Sequence, residues 1–189
     1  QMHSAIRHQD ELHPTYPPTV HFKWMVDLVT MPMGVGQMRY LVLAREDLTN
    51  QVEGRALPNK TTVVVCRFPI EEVVCRYGCV GKIVADRGEL DVQEAEELFG
   101  WLGVKLSLTT TYNPEANEKV ERGHGPIMKA LVRAFEGHVG YWSQFLPYAL
   151  WADRTTYSSV TGFMPTELMY EQKLIMLMKR MMSSWAAVD

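Results

Sequence analysis

The chain has 189 residues, of which 47% are hydrophobic, and its formal net charge is −3 at pH 7. A chain of this length and hydrophobic content can bury the core of one globular domain, so the composition excludes an intrinsically disordered protein. Electrostatic affinity for nucleic acid comes from Lys and Arg. The negative net charge therefore excludes a protein that coats nucleic acid through its overall charge.

The predicted elements begin after an N-terminal segment, residues 1–20, which contains prolines but no hydrophobic period and is predicted to be an extended arm. Three strand patterns follow at about residues 22–31, 38–45 and 51–57, an order typical of an antiparallel meander. An amphipathic helix is predicted next, ending at Gly78, and Pro69 inside it is expected to kink or break it. Its apolar residues recur at helical spacing: Cys66, Ile70, Val73, Val74 and Tyr77.

The second half of the chain alternates strands and helices. Residues 81–86 are predicted to form a short buried strand, and a helix that ends at Gly103 and a strand at 104–108 follow. A long helix is predicted from about residue 117 to 136, with a basic stripe that includes Lys129 and Arg133. A further apolar stripe runs from Trp142 to Leu150 and is interrupted by Pro147. The predicted order before the long helix is therefore β-β-β-α-β-α-β.

The cysteines predict neither a disulfide framework nor a zinc site. Cys66, Cys75 and Cys79 are an odd number, they include no Cys-x-x-Cys pair, and no His stands at zinc-finger spacing from them. A reducing compartment is therefore expected. The sequence also contains no run of about 18 apolar residues and no signal-peptide pattern at its start, so no membrane partner is expected.

Three carboxylates stand in settings that suggest metal-ion chemistry. Asp27 lies inside the apolar strand predicted at about residues 22–31, and Asp86 ends the short buried strand predicted at residues 81–86. Glu121 lies on the predicted long helix. An ionised Asp in a buried strand is costly unless it is paired, hydrogen-bonded or bound to a metal. Each acid also has an ordinary explanation: a strand-edge hydrogen bond for Asp27, a turn for Asp86 and a solvated helix position for Glu121. Only the combination points to a metal-dependent nuclease or DNA strand-transfer site.

An ordered set of motifs over roughly residues 20–172 carries a resemblance. The motifs are Val26–Val29, Ala85–Gly88, Thr111–Asn117, Val120–His124, Leu146–Ala152 and Thr161–Leu168. This set resembles the catalytic core of an integrase from a gypsy-class LTR retrotransposon, a relative of retroviral integrases.

The resemblance implies a ribonuclease H-like α/β fold, a five-stranded mixed sheet flanked by helices. It implies a catalytic core at residues 21–172, with a C-terminal tail or linker at 173–189. It also implies a catalytic and metal-binding triad of Asp27, Asp86 and Glu121, with 34 residues between the last two acids, one fewer than in the family. Asp27 and Asp86 would share one Mg²⁺ or Mn²⁺ ion, and Asp27 and Glu121 would hold a second. The implied activity is that of a polynucleotidyl transferase and endonuclease that processes DNA 3′ ends and integrates them by strand transfer.

The same resemblance implies the partners. Tyr112 and Asn117 correspond to a family loop that touches the DNA end, and Lys119 and Arg122 are expected to contact phosphate. The alternatives are that Tyr112 simply packs and that Arg122 pairs with a nearby Glu. The DNA partners would be element ends and target DNA, bound by a homodimer or higher oligomer. The expected location is the nucleus, with a cytoplasmic particle stage for a retrotransposon polyprotein.

The chain departs from the family pattern beside the triad. Glu118 replaces a glycine and Glu115 replaces a glutamine, and both added acids would repel DNA phosphate. Glu118 and Glu171 in place of glycine, like Leu174 and Leu177 in place of proline, each correspond to one transition in the DNA, which suggests a decaying copy. In the family a zinc-binding module precedes the core and a basic domain follows it, and neither is found in this sequence. Two other functions therefore stay open: a decayed or repurposed interaction module, and a nuclease of the ribonuclease H class.

Overall fold

Five strands form one mixed sheet in the computed structural model, which describes residues 19–86, 92–109, 125–133 and 138–173. The strands lie in the order β3-β2-β1-β4-β5. This arrangement, flanked by helices, confirms the predicted ribonuclease H-like fold class. The strand bounds are Lys23–Thr30 for β1, Tyr40–Glu46 for β2, Val52–Leu57 for β3, Lys82–Asp86 for β4 and Lys105–Thr109 for β5.

The sheet is antiparallel on one side and parallel on the other. Strand β2 pairs antiparallel with both β1 and β3, which confirms the predicted meander. Strand β4 pairs in parallel with β1 and with β5. Parallel neighbours need a crossover connection, and a helix accordingly lies between β4 and β5 in the chain. Another helix lies between β3 and β4, which are two strands apart in the sheet.

The helices cover both faces of the sheet. Helix α1 spans Thr62–Pro69 and continues through a π-helical turn at Ile70–Val74 and an α-helical turn at Cys75–Tyr77. Helix α2 spans Val92–Gly100, residues 125–133 form helix α3, α4 spans Trp142–Thr155 and α5 spans Pro165–Tyr170. No helix among the described residues has the length and apolar character needed to cross a bilayer. The remainder of the predicted helix at 117–136 lies outside the described residues.

Two hydrophobic clusters hold these helices on opposite faces of the sheet. One joins α1 and α2 to the sheet and includes Trp24, Val26, Phe68, Ile83, Ala85 and Phe99. The other joins α3 and α4 to the opposite face and includes Leu41, Leu43, Ile127, Leu131, Trp142 and Leu146. Alternate residues of each central strand therefore serve different layers, as the pleat requires.

The regular α-helix ends at Pro69, as the sequence predicts, whereas Pro147 does not interrupt its helix. After Pro69 the chain stays helical, because the backbone widens into the π turn and Cys75 N–H donates to the Ile70 carbonyl, five residues back. Helix α4 runs without a break through Pro147, which is exposed. Pro147 has no N–H to donate to the Ser143 carbonyl, so the helix continues without that hydrogen bond.

A buried carboxylate joins the third strand to two helices. The Glu53 side chain is 5% exposed, and it accepts hydrogen bonds from Tyr77 Oη at 2.7 Å and from Arg154 Nη2 at 2.6 Å. Arg154 also donates from Nε to the Val52 carbonyl at 2.7 Å, and Arg76 Nη1 lies 3.8 Å from the Glu53 carboxylate. This network fixes the end of α1 and the C-terminal turn of α4 against β3.

The three cysteines differ in their expected reactivity. Cys66 is buried in α1, where burial, helped by the nearby Glu94 charge, raises the pKa of its thiol to about 11, whereas Cys75 and Cys79 are exposed. Because the thiolate is the reactive form, a thiol reagent at pH 8 is expected to modify two cysteines in the folded chain and three after unfolding, counted by intact mass spectrometry. A Cys66→Ser variant should still give two in the folded state. Rapid modification of Cys66 in the folded chain would contradict this prediction.

Candidate carboxylate site

The pairing of β1 with β4 places two of the predicted acids side by side. In this parallel pair Lys23 faces Lys82, Trp24 faces Ile83 and Met25 faces Val84. The same alignment, carried two residues further along both strands, sets Asp27 opposite Asp86. Neighbouring strands lie about 4.8 Å apart, so two carboxylates at one level of the sheet can reach a common ligand.

Both aspartates point to the same face of the sheet. Val26 and Ala85, their chain neighbours, are buried in the cluster beneath α1 and α2. Because side chains alternate along a strand, Asp27 and Asp86 are directed to the opposite face, where both are half-buried. Asp27 combines partial access to solvent with a fixed backbone position, since β1 is paired on both sides.

Helix α3 packs on the face that carries the two aspartates. Leu43 of β2 lies directly across from Asp27, and it belongs to the same buried cluster as Ile127 and Leu131 of α3. Ile127 is six residues beyond Glu121 in the chain. The packing of α3 therefore anchors the chain just after Glu121 on the aspartates' face.

The other predicted site residues lie outside the described residues. These are Glu121 of the triad and the expected DNA contacts Tyr112, Asn117, Lys119 and Arg122. The structure thus brings together two acids of the triad, and the role of Glu121 and of the four DNA contacts stays a prediction.

The two aspartates suit a hard divalent cation. Mg²⁺ prefers carboxylate oxygen and commonly uses only one or two protein carboxylates, with water and substrate phosphate completing its shell. Within the part of the chain that the structure describes, no group of three or more His, Cys, Asp or Glu side chains could hold a metal. Asp27 and Asp86 therefore supply the right donor chemistry for an ion but need further ligands.

Sequence reasoning missed a row of lysines on the same strands. Lys23, Lys82 and Lys105 are paired across β1, β4 and β5. The sequence contains a pattern that indicates two of these lysines: Lys23 precedes Asp27 by four residues, and Lys82 precedes Asp86 by four residues. Two matching Lys-x-x-x-Asp segments in adjacent parallel strands place a basic row and an acidic row on one face.

Comparison with known proteins gives relatives but no matching family model. Over 149 residues, which are 78% of this chain, it is 30% identical to the Gag-Pol polyprotein of Woolly monkey sarcoma virus. Over 151 residues, 79% of this chain, it is 27% identical to the Gag-Pol polyprotein of Avian reticuloendotheliosis virus. The matches span only 9% and 13% of the lengths of those two polyproteins.

Solved structures share the fold. The catalytic core domain of BIV integrase superposes with a TM-score of 0.65 at 24% identity, covering 80% of this chain and 95% of that one. A chain of the simian T-cell lymphotropic virus intasome, in complex with PP2A regulatory subunit B56 gamma, superposes with a TM-score of 0.70 at 18% identity. That match covers 82% of this chain and 56% of the other. At these identities the likeness concerns the fold.

Proposed function

Because this chain is a retroviral-integrase-like domain, related in sequence to retroviral Gag-Pol polyproteins, we propose that it is an integrase catalytic core that processes DNA 3′ ends and joins them to target DNA. The narrower assignment to a gypsy-class retrotransposon is part of the same proposal. The observation that carries it is the parallel register of β1 and β4 from Lys23 to Met25, which, continued two residues further, sets Asp27 opposite Asp86 on one face of the sheet.

The carboxylates have defined roles in this proposal. Asp27 and Asp86 would hold one Mg²⁺ or Mn²⁺ ion, and Asp27 and Glu121 would hold a second. Such ions, when bound, lower the pKa of an attacking water and stabilise charge on phosphate oxygens. The sheet contributes rigidity, since both aspartates stand on paired strands and keep their separation while substrate binds.

Residues outside the described part would hold the DNA. Tyr112 and Asn117 would orient the DNA end, and Lys119 and Arg122 would bind its phosphates. Element ends and target DNA are the proposed nucleic-acid partners, with a homodimer or higher oligomer as the working assembly. The intasome that shares the fold supports an oligomeric assembly on DNA. We propose the nucleus as the place of action, with a cytoplasmic particle stage before it.

A disintegration assay with the 189-residue chain tests the proposal. The substrate is a branched DNA oligonucleotide that mimics the strand-transfer product, and an RNA–DNA hybrid is the comparison substrate. We expect a joined DNA product that requires Mg²⁺ or Mn²⁺ and disappears with EDTA, while the RNA of the hybrid stays intact.

Other outcomes separate the competing functions. Cleavage of the hybrid RNA without DNA joining would assign a ribonuclease H-type enzyme. Joining that appears only after Glu118→Gly would identify a core weakened by the added charge and lost glycine. Absence of joining by both the wild type and Glu118→Gly would contradict the proposed activity and favour an interaction module.

A further inference from the structure

The lysine row, Lys23, Lys82 and Lys105, crosses three neighbouring parallel strands at one level of the sheet. Lys82 faces Lys23 in β1 and Lys105 in β5. With strands about 4.8 Å apart, the row spans about 10 Å. Lys105 is exposed, and Lys23 and Lys82 are half-buried, so all three ammonium groups can reach solvent.

The lysine row places three positive charges close together, and acidic side chains among the described residues neutralise only part of this charge. Asp47 Oδ2 lies 3.3 Å from Lys23 Nζ, and this is the one ion pair that the row makes within the described residues. Burial, together with repulsion from Lys23 and Lys105, lowers the pKa of the Lys82 ammonium. Like charges directly opposite each other on adjacent strands destabilise a sheet, so the row is unfavourable until an anion binds.

The row lies on the same face as the carboxylate site. Lys23 and Asp27 are four residues apart on β1, and Lys82 and Asp86 are four residues apart on β4, so each pair points to one face. At about 3.3 Å per residue the two rows are about 13 Å apart. Between them Met25 and Val84 are only half-buried, so this strip of the sheet is partly open to solvent.

We propose that Lys23, Lys82 and Lys105 form a second DNA contact, which binds the phosphate backbone of a strand about 13 Å from the carboxylates. About 10 Å along the axis of a DNA duplex carries about three phosphates of one strand, so three flexible lysine side chains can each contact one of them. The contact is independent of base sequence. It rests on the proposed function in one respect, since the bound strand would be part of a substrate of the carboxylate site.

Fluorescence anisotropy with a short labelled DNA duplex, over a series of salt concentrations and without divalent metal, tests the contact. The test variant is Lys82→Gln with Lys105→Gln, which leaves Lys23 and its partner Asp47 unchanged. The matched control is Lys60→Gln, an exposed lysine beyond β3. We expect the double variant to raise Kd about 5- to 10-fold at low salt and to reduce the slope of log K against log salt by about 2. The control should change Kd less than about 2-fold.

A charge-preserving variant and a thermal melting curve distinguish loss of the phosphate contact from loss of folding. Lys82→Arg with Lys105→Arg keeps both charges and should bind DNA as the wild type does. The double Gln variant should melt at or above the wild-type Tm, because it removes repulsion between strands. If it instead fails to fold, Lys105→Gln alone, at the exposed position, should still reduce the salt slope by about 1.

Two results would overturn the inference. One is a double variant with wild-type Kd and salt slope. The other is lysine-dependent binding of poly-glutamate without lysine-dependent binding of DNA, which would assign the row to an acidic protein. The inference also fails separately from the proposed function. If the chain joins DNA but the lysine substitutions leave its DNA affinity unchanged, only the proposed lysine contact is overturned. If the substitutions weaken DNA binding but the chain does not join DNA, only the proposed activity is overturned.

Discussion

Asp27→Asn is expected to reduce metal-dependent DNA joining at least about 10³-fold, equivalent to about 4 kcal/mol of lost transition-state stabilisation. Asparagine has the size of aspartate and can keep the pairing of β1 with β2 and β4, but it removes the negative charge that a divalent cation needs. Asp86→Asn should have a similar effect. Initial rates of joining at saturating Mg²⁺ and Mn²⁺ measure both losses.

A variant that carries both Asp27→Asn and Asp86→Asn tests whether the two aspartates act together. If Asp27 and Asp86 act on one ion, losing both should cost little more than losing either one. Glu97→Gln, which neutralises an exposed acid on α2, is the control and should keep wild-type rates. All the aspartate variants should fold, since neither carboxylate is needed for strand pairing. Residual joining within about tenfold of the wild type in Asp27→Asn would contradict the assigned role.

Glu53→Gln is expected to lower the free energy of unfolding by about 3 kcal/mol. The substitution removes the charge that faces Arg154 and leaves one amide oxygen to accept from two donors, Tyr77 and Arg154, which in the wild type donate to different carboxylate oxygens. Breaking a buried ion pair by removing one partner costs about 3–5 kcal/mol, and the lower end applies because the Arg154 side chain is 23% exposed. Urea unfolding followed by circular dichroism measures the change.

An exposed ion pair provides the contrast. Arg67 and Glu71 lie 3.4 Å apart on the surface of α1, with side chains 70% and 46% exposed. Arg67→Ala should change the free energy of unfolding by less than about 1 kcal/mol, since solvent screens such pairs. Equal effects of Glu53→Gln and Arg67→Ala would show that the Glu53 network does not fix β3 to the helices.

The sheet and its site were predictable where local pattern determines structure. Apolar runs around Asp27 and before Asp86 predict central strands, and their alternation already directs each aspartate away from its buried neighbours. The helical spacing from Cys66 to Tyr77 predicts α1 and its end at Gly78, which has φ of +78°. The resemblance to integrases then implied one five-stranded mixed sheet flanked by helices.

Other features depend on contacts that a local pattern does not contain. Glu53 and Arg154 are 101 residues apart, so neither residue signals the other in the sequence. The Lys-x-x-x-Asp spacing of β1 and β4 is visible in the sequence, but the alignment of the three lysines in one row follows only from the register of β1, β4 and β5. The stripe from Trp142 to Leu150 was predicted to be interrupted at Pro147, but helix α4 runs through it, whereas the regular α-helix does end at Pro69.

The register of β1 and β4 also determines where this chain can change in length. Lys23, Trp24 and Met25 of β1 each face the β4 residue 59 positions later in the chain. One residue inserted between Lys82 and Asp86 would turn one of these two charged side chains into the core beneath α1 and α2, whereas an insertion before Lys82 could be accommodated as a longer connection. The connections between the strands can therefore change in length by one residue while the alignment of β1 with β4 is preserved.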